Sequence, residues 1–197
     1  MFSVKSIFAA LAIAVSAPFT LATAAYAQGT TVIVIDRAQI LTQSKAGQDV
    51  ATKIQGIEAA MQAELQPTAV QLQTEGTAIE TKTANMTPEA MRADAALKTE
   101  VENYARKANE FNRNRQIAAQ ELALTERKAL IDLNNALVPI LRDVVAENSA
   151  NVILDRSSVV FTDEATDVTA SVIAKLDAAT PTIAVTRQKL PTQAPQQ

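Results

Sequence analysis

The apolar positions of this chain change period along its length. Residues Thr31 to Asp36 read T-V-I-V-I-D, four consecutive β-branched apolar residues after a Gly/Thr start. That run predicts a short strand buried on both faces. A helical piece over Ala38 to Gln43 follows, and Ser44-Lys45-Ala46-Gly47 reads as punctuation before a longer helix. From Gln48 to about Thr83, Val50, Ile54, Ile57, Met61 and Leu65 recur at spacings of four and three, one narrow apolar stripe on a helix. Pro67 predicts a kink, because an interior proline removes a backbone hydrogen bond and clashes with the preceding turn. Val70, Leu72 and Ile79 resume the stripe more weakly, softened by Gly56 and Gly76.

The chain is expected to reverse near residues 84–88. Thr87 suits an N-cap, Pro88 the first helical position, and Glu89 the positive end of the dipole. From Pro88 to about Asn148, Leu97, Val101, Tyr104, Ala108, Phe111, Arg115, Ala118, Leu122, Thr125 and Ala129 alternate spacings of four and three. Leu133, Leu137, Ile140 and Val144 continue the stripe after a one-residue slip, and Pro139 predicts a bend near the end. About 60 residues at 1.5 Å each make roughly 90 Å of helix. Two such helices joined by a tight turn form an antiparallel coiled-coil hairpin. Ala108, Arg115, Ala118, Thr125 and Ala129 stand where a stable seam wants Leu or Ile. At roughly 0.8 kcal/mol per buried methylene, that seam is weak and the arm is expected to flex near its tip.

Asn151 to Asp155 and Val159 to Thr162 flank Arg156-Ser157-Ser158, which predicts a β-hairpin. Thr166-Asp167 should cap a short closing helix carrying Val168, Val172, Ile173 and Leu176. From Pro181 the tail has three prolines and no periodicity, and is expected to be disordered. The fold class is therefore α+β, mostly α: a long helical arm over 48–148 on a small body built from 28–47 and 149–180. Three short strands and one short helix make a thin core for a single chain. Sharing that core with identical copies is the simplest completion, through Val32, Ile33, Val34, Ile35, Val152, Ile153, Leu154, Val159, Val160 and Phe161.

Composition narrows the function classes. Of 197 residues, 48% are hydrophobic but only 4% aromatic, and Cys, His and Trp are absent. The absences remove disulfides, thiolate nucleophiles, cysteine-ligated metals and the commonest general base. Four glycines leave little for phosphate-cradling loops. No enzyme, cofactor or metal is expected. Lys5, the apolar run Ile7 to Val15 and the small-x-small Ala25-Tyr26-Ala27 have the form of a secretory leader cleaved after Ala27. Its loss leaves 17 basic residues against 21 acidic ones, a charge of about −4 with no call for nucleic acid.

Candidate contact residues are correspondingly diffuse. Arg106, Lys107, Arg113 and Arg115, opposed only by Glu110, could form a positive stripe that attracts acidic segments, or an ordinary solvated face. Met61, Met86, Met91, Tyr104 and Phe111 could give soft contacts to unfolded chains, or simply pack the hairpin. Glu100 and Glu102 point to different helix faces. Asp163, Glu164 and Asp167 lack the spacing of a calcium loop, and Ser157 and Ser158 have no base.

Taken in order, Val34-Ile35-Asp36, Ser44-Lys45-Ala46-Gly47, Leu137-Val138-Pro139-Ile140-Leu141, Val152-Ile153-Leu154-Asp155-Arg156-Ser157-Ser158 and Asp167-Val168-Thr169 resemble the Skp (OmpH-like) periplasmic chaperone family, from about Thr31 to Asp177. The resemblance implies a jellyfish-shaped homotrimer with a shared β-barrel body and three arms around a cavity. It implies an ATP-independent periplasmic holdase for unfolded outer-membrane proteins. The best-known members are strongly basic, with positive arm tips that suit anionic lipid or lipopolysaccharide. This chain departs from them in charge, so lipid or lipopolysaccharide contact stays open. Two rivals are a structural coiled-coil spacer of the envelope, which the alanines and Pro67 oppose, and a lipid-surface amphipathic protein, which the narrow stripe and few aromatics oppose.

Overall fold

The computed structural model describes residues 29–191; the expected leader and residues 192–197 lie outside them. The chain runs through strand β1 (Val32–Ile35), helices α1 (Arg37–Gln43), α2 (Lys45–Thr83), α3 (Pro88–Ala93) and α4 (Ala95–Glu147), strand β2 (Val152–Asp155) and helix α5 (Thr169–Ala179). Helices α2 and α4 pack together as the hairpin arm. With 53 residues, α4 is about 80 Å long. Both helices continue through their prolines, Pro67 and Pro139, each of which is exposed.

The tip differs from the single long helix expected after Pro88. Asp94 adopts an extended conformation (φ −84°, ψ 98°) that closes α3 and starts α4. Its amide donates to Ala90 O at 3.1 Å, and its carboxylate accepts from Leu97 N at 2.9 Å. One acidic residue supplies both caps, so a break is satisfied in the middle of a helical sequence.

The expected β-hairpin does not form. β2 pairs with β1 instead, in parallel, with Val32 opposite Val152 and Ile35 opposite Asp155. The Asp155 carboxylate accepts from both the amide (2.9 Å) and the hydroxyl (2.6 Å) of Ser157, which winds Arg156–Ser158 into a 3₁₀ turn and ends the strand. Val159, Val160 and Phe161 form no strand. A parallel pair needs a long crossover, and the arm is that crossover. On the other side of β1, Val168 N donates to Val34 O at 3.0 Å, so β1 is the central element of the body.

The body core gathers Ile33, Ile35, Ile40, Val50, Leu137, Val144, Val172 and Leu176 into one cluster. Ile33, Val34 and Ile35 are at most 3% exposed, their side chains packed within this protomer, while Val32 is half-buried. The outward residues are Val152 and Leu154, about two-fifths exposed, and Val160 and Phe161, at 107% and 84%.

The corner between α1 and α2 explains Ser44-Lys45-Ala46-Gly47. Fully buried Ser44 donates its amide to Ile40 O at 3.1 Å, ending α1, and accepts from Gly47 N at 3.1 Å, capping α2. Lys45 N donates to Asp177 Oδ1 at 2.7 Å, which ties the corner to α5. A Cβ on Gly47 would fall 1.9 Å from the carbonyl oxygen of Leu41.

Over its described length, to Pro191, the tail lies against the body and the arm. Ile183 is 7% exposed and belongs to the body core, and the chain beyond it lies extended along the arm to Pro191. Sequence periodicity cannot register such a segment, because its partners are side chains on α2 and α4 and not its own neighbours.

Candidate functional site

The arm is thinly sealed. Between Leu97 and Glu121 no residue of α4 is buried, and beyond Val50 only Met61 and Leu72 are buried on α2. Thr125 and Ala129 do occupy the seam, at 1% and 2% exposure, and Ala108 and Ala118 sit half-buried beside it. Arg115 does not: it is exposed, with its guanidinium 6.0 Å from the centroid of the Phe111 ring. A charge at that position is accommodated by turning out of the seam and stacking on an aromatic neighbour.

The four basic residues do not act as one stripe. Lys107 crosses to α2 and holds Glu75 at 2.6 Å. Arg106 is exposed and bonded to Asn103 Oδ1 at 3.0 Å, and exposed Arg113 reaches the groove beside the tail. Met61 is buried at 4%, which removes it from the surfaces a partner could touch. Met86 and Met91 at the turn, Tyr104 and Phe111 are half-buried. The Tyr104 hydroxyl lies 3.1 Å from the point a Cβ on Gly76 would occupy, so that glycine lets the ring cross onto α2.

Two features of the arm escape a search for seam residues. Ile117, Leu124, Ile131 and Val138 recur every seven residues on α4 and are 37%, 39%, 49% and 43% exposed. Seven residues are close to two helical turns, so the four share a face over about 31 Å. Their spacing was available in the sequence; it was hidden beneath the stronger neighbouring stripe. The second feature is the tail contact. Arg187 binds Glu64 of α2 and Glu121 of α4, both at 2.8 Å, and Glu121 is only 6% exposed. Gln188 N donates to Thr125 Oγ1 at 2.9 Å and Leu190 N to Glu121 Oε1 at 3.2 Å. The hydrogen bond from Arg187 to Glu64, joined by Glu121, holds the guanidinium above its usual pKa despite partial desolvation. Beside this contact lies a cavity of about 410 Å³ lined by Met61, Leu65, Ile117 and Ala118.

Several carboxylates elsewhere are held below their usual range. Lys53 and then the Ile183 amide lower Asp49, Lys107 and then Gln71 lower Glu75, Ser157 lowers Asp155, and Thr169 lowers Asp167. A carboxylate whose folded pKa lies below its unfolded value stabilises the fold above the unfolded value, and that contribution is lost as pH falls through the folded one. The melting temperature is therefore expected to be level from about pH 7 to 5 and to decline below about pH 4. Asp49→Asn should melt lower at neutral pH and show a shallower acid decline. An acid decline unchanged by that substitution would deny Asp49 the role.

Among the described residues, no cluster of carboxylates could hold a metal ion, and no helix is long and apolar enough to cross a membrane. The helical hairpin arm on a small parallel-paired body defines the class of protein. The chain belongs to the OmpH-like family: the family model for outer membrane protein (OmpH-like) matches residues 31–176. A crystal structure from Caulobacter crescentus CB15, described as a candidate outer membrane chaperone (OmpH-like), is 27% identical with a TM-score of 0.71, covering 83% of this chain and 94% of that one. A comparison with the curated proteins finds no match.

Proposed function

We propose that this protein is an ATP-independent holdase chaperone of the periplasm, which binds unfolded outer-membrane proteins between the arms of a homotrimer and keeps them from aggregating. Membership of the OmpH-like family and the likeness to the Caulobacter protein support this reading. The observation that carries it is the exposed row of Ile117, Leu124, Ile131 and Val138 on the arm. Exposed apolar surface in a row marks an interaction site, and a row without fixed polar partners suits chains that share no sequence. Clients would be held by many weak contacts, with Phe111, Tyr104, Met86, Met91, Arg106 and Arg113 adding to the row. Release would follow from the greater stability of the folded or membrane-inserted client.

The test is suppression of aggregation of a urea-unfolded outer-membrane β-barrel protein, without ATP. Precipitation at the same rate with and without a stoichiometric excess of this protein would refute the holdase reading. Covering the rest of each exposed side chain is worth about 1 kcal/mol, and 1.4 kcal/mol is tenfold in affinity. Changing all four to Gln should therefore weaken client capture at least about tenfold, with helix content retained. Undiminished capture would move the client contacts elsewhere.

A further inference from the structure

The tail from Ala184 to Pro191 is extended and lies on the arm, which binds it through two backbone amides and one side chain. The amides of Gln188 and Leu190 are accepted by Thr125 and Glu121, and one cationic side chain, Arg187, spans Glu64 and Glu121. One feature of this arrangement suits any extended chain and the other selects among them. Backbone amides are common to all sequences, so their capture carries little sequence preference. The carboxylate pair further favours a segment with a basic residue. Arg113, Ile117 and Gln120 join Leu190 and Pro191 around a second cavity of about 870 Å³, and Ile117 lines both cavities as the first member of the exposed row.

Among the described residues of the tail, Ile183 is the core anchor. Ile183 is buried in the body core, its amide donating to Asp49 Oδ2 at 2.9 Å and its carbonyl accepting from Lys53 at 2.7 Å. From residue 184 to 191 no side chain is buried, and Glu64, one end of the Arg187 bridge, is 61% exposed. The Arg187–Glu64 pair is exposed while Glu121 is shielded, so the strap rests on one sheltered ion pair, one exposed pair and a few hydrogen bonds, which hold a segment less firmly than a packed core. The tail therefore has an anchor at Ile183 and a liftable strap beyond it. This segment lies past residue 176, where the family match ends.

We propose that the groove between Glu64 and Glu121 is a client-binding site for extended, basic-containing segments, and that residues 186–190 occupy it in cis as a displaceable competitor. The proposal rests on the holdase reading. A tethered competitor lowers apparent client affinity by the fraction of time the groove is open. Two variants remove the competition in different ways: truncation after Val185, which keeps Ile183 in the core, and Arg187→Glu in the full chain, which keeps the tail but opposes both carboxylates.

Capture of the urea-unfolded barrel protein should be at least about threefold tighter for both variants than for the unaltered protein, by the open-fraction relation. In the truncated chain, Glu121→Gln should remove most of that gain, and a free peptide of residues 184–193 at millimolar concentration should return capture to the unaltered level. If the unaltered protein slows precipitation but neither folded variant captures more tightly, the strap is only structural and the inference fails. If one variant does not fold, the other decides alone, with the free peptide as its control. If the unaltered protein does not slow precipitation at all, the holdase reading fails and takes the inference with it.

Discussion

Gly47→Ala is expected to destabilise the protein by at least about 2–3 kcal/mol, although the substitution raises intrinsic helix propensity. In an ordinary helix the change would be favourable by up to about 1 kcal/mol. Here the added Cβ would lie 1.9 Å from the Leu41 carbonyl oxygen and 2.7 Å from its carbon, both backbone atoms that no rotamer change can move. Relief requires α1 to part from α2. Such a shift pulls buried Ser44 from its double capping role and strains the Lys45–Asp177 hydrogen bond. Thermal or urea unfolding measures the loss, and Gly56→Ala is the control: a Cβ there meets nothing within 4 Å. Gly47→Ala melting no lower than Gly56→Ala would show that the corner yields without cost.

Val160→Asp combined with Phe161→Asp is expected to convert the proposed trimer into monomers with the arm intact. These residues are almost wholly exposed and follow the turn that ends β2, whose own Val152 and Leu154 face outward. A bare strand edge beside apolar side chains is a surface that proteins normally cover. Burying a phenylalanine or valine is worth roughly 1.5–3 kcal/mol each, and replacing them by carboxylates adds desolvation and like-charge repulsion at a symmetric interface. Sedimentation velocity gives the mass and circular dichroism the helix content. Retention of the unaltered protein's oligomeric mass would place assembly on another surface. A monomeric unaltered protein would end the trimer proposal.

The sites were legible unevenly. The weak seam could be read from Ala108, Thr125, Ala118 and Ala129, because what a seam position buries depends only on its own side chain. Arg115 was misplaced by the same periodicity, since a long charged side chain can leave a stripe that its Cα occupies. Lys107 became a cross-helix partner of Glu75 only when the register of α2 against α4 was known. The row from Ile117 to Val138 was present as a heptad, yet its exposure depends on which face α2 covers.

The sequence by itself determined the long helices of the arm, the Thr87 cap, the reversal after Thr83, the thin arm and the family resemblance. All of these rest on interactions between residues a few positions apart, which periodicity records. It did not determine the Asp94 break between α3 and α4 or the start of α5 at Thr169 without a side-chain cap. Only the tertiary structure decided that β2 pairs in parallel with β1 across the whole arm, that Gly47 admits no side chain, and that the tail beyond Ile183 is strapped between Glu64 and Glu121. Each joins residues distant in the chain, or elements whose approach is set by the packing of the whole body. Local pattern carries no term for that distance.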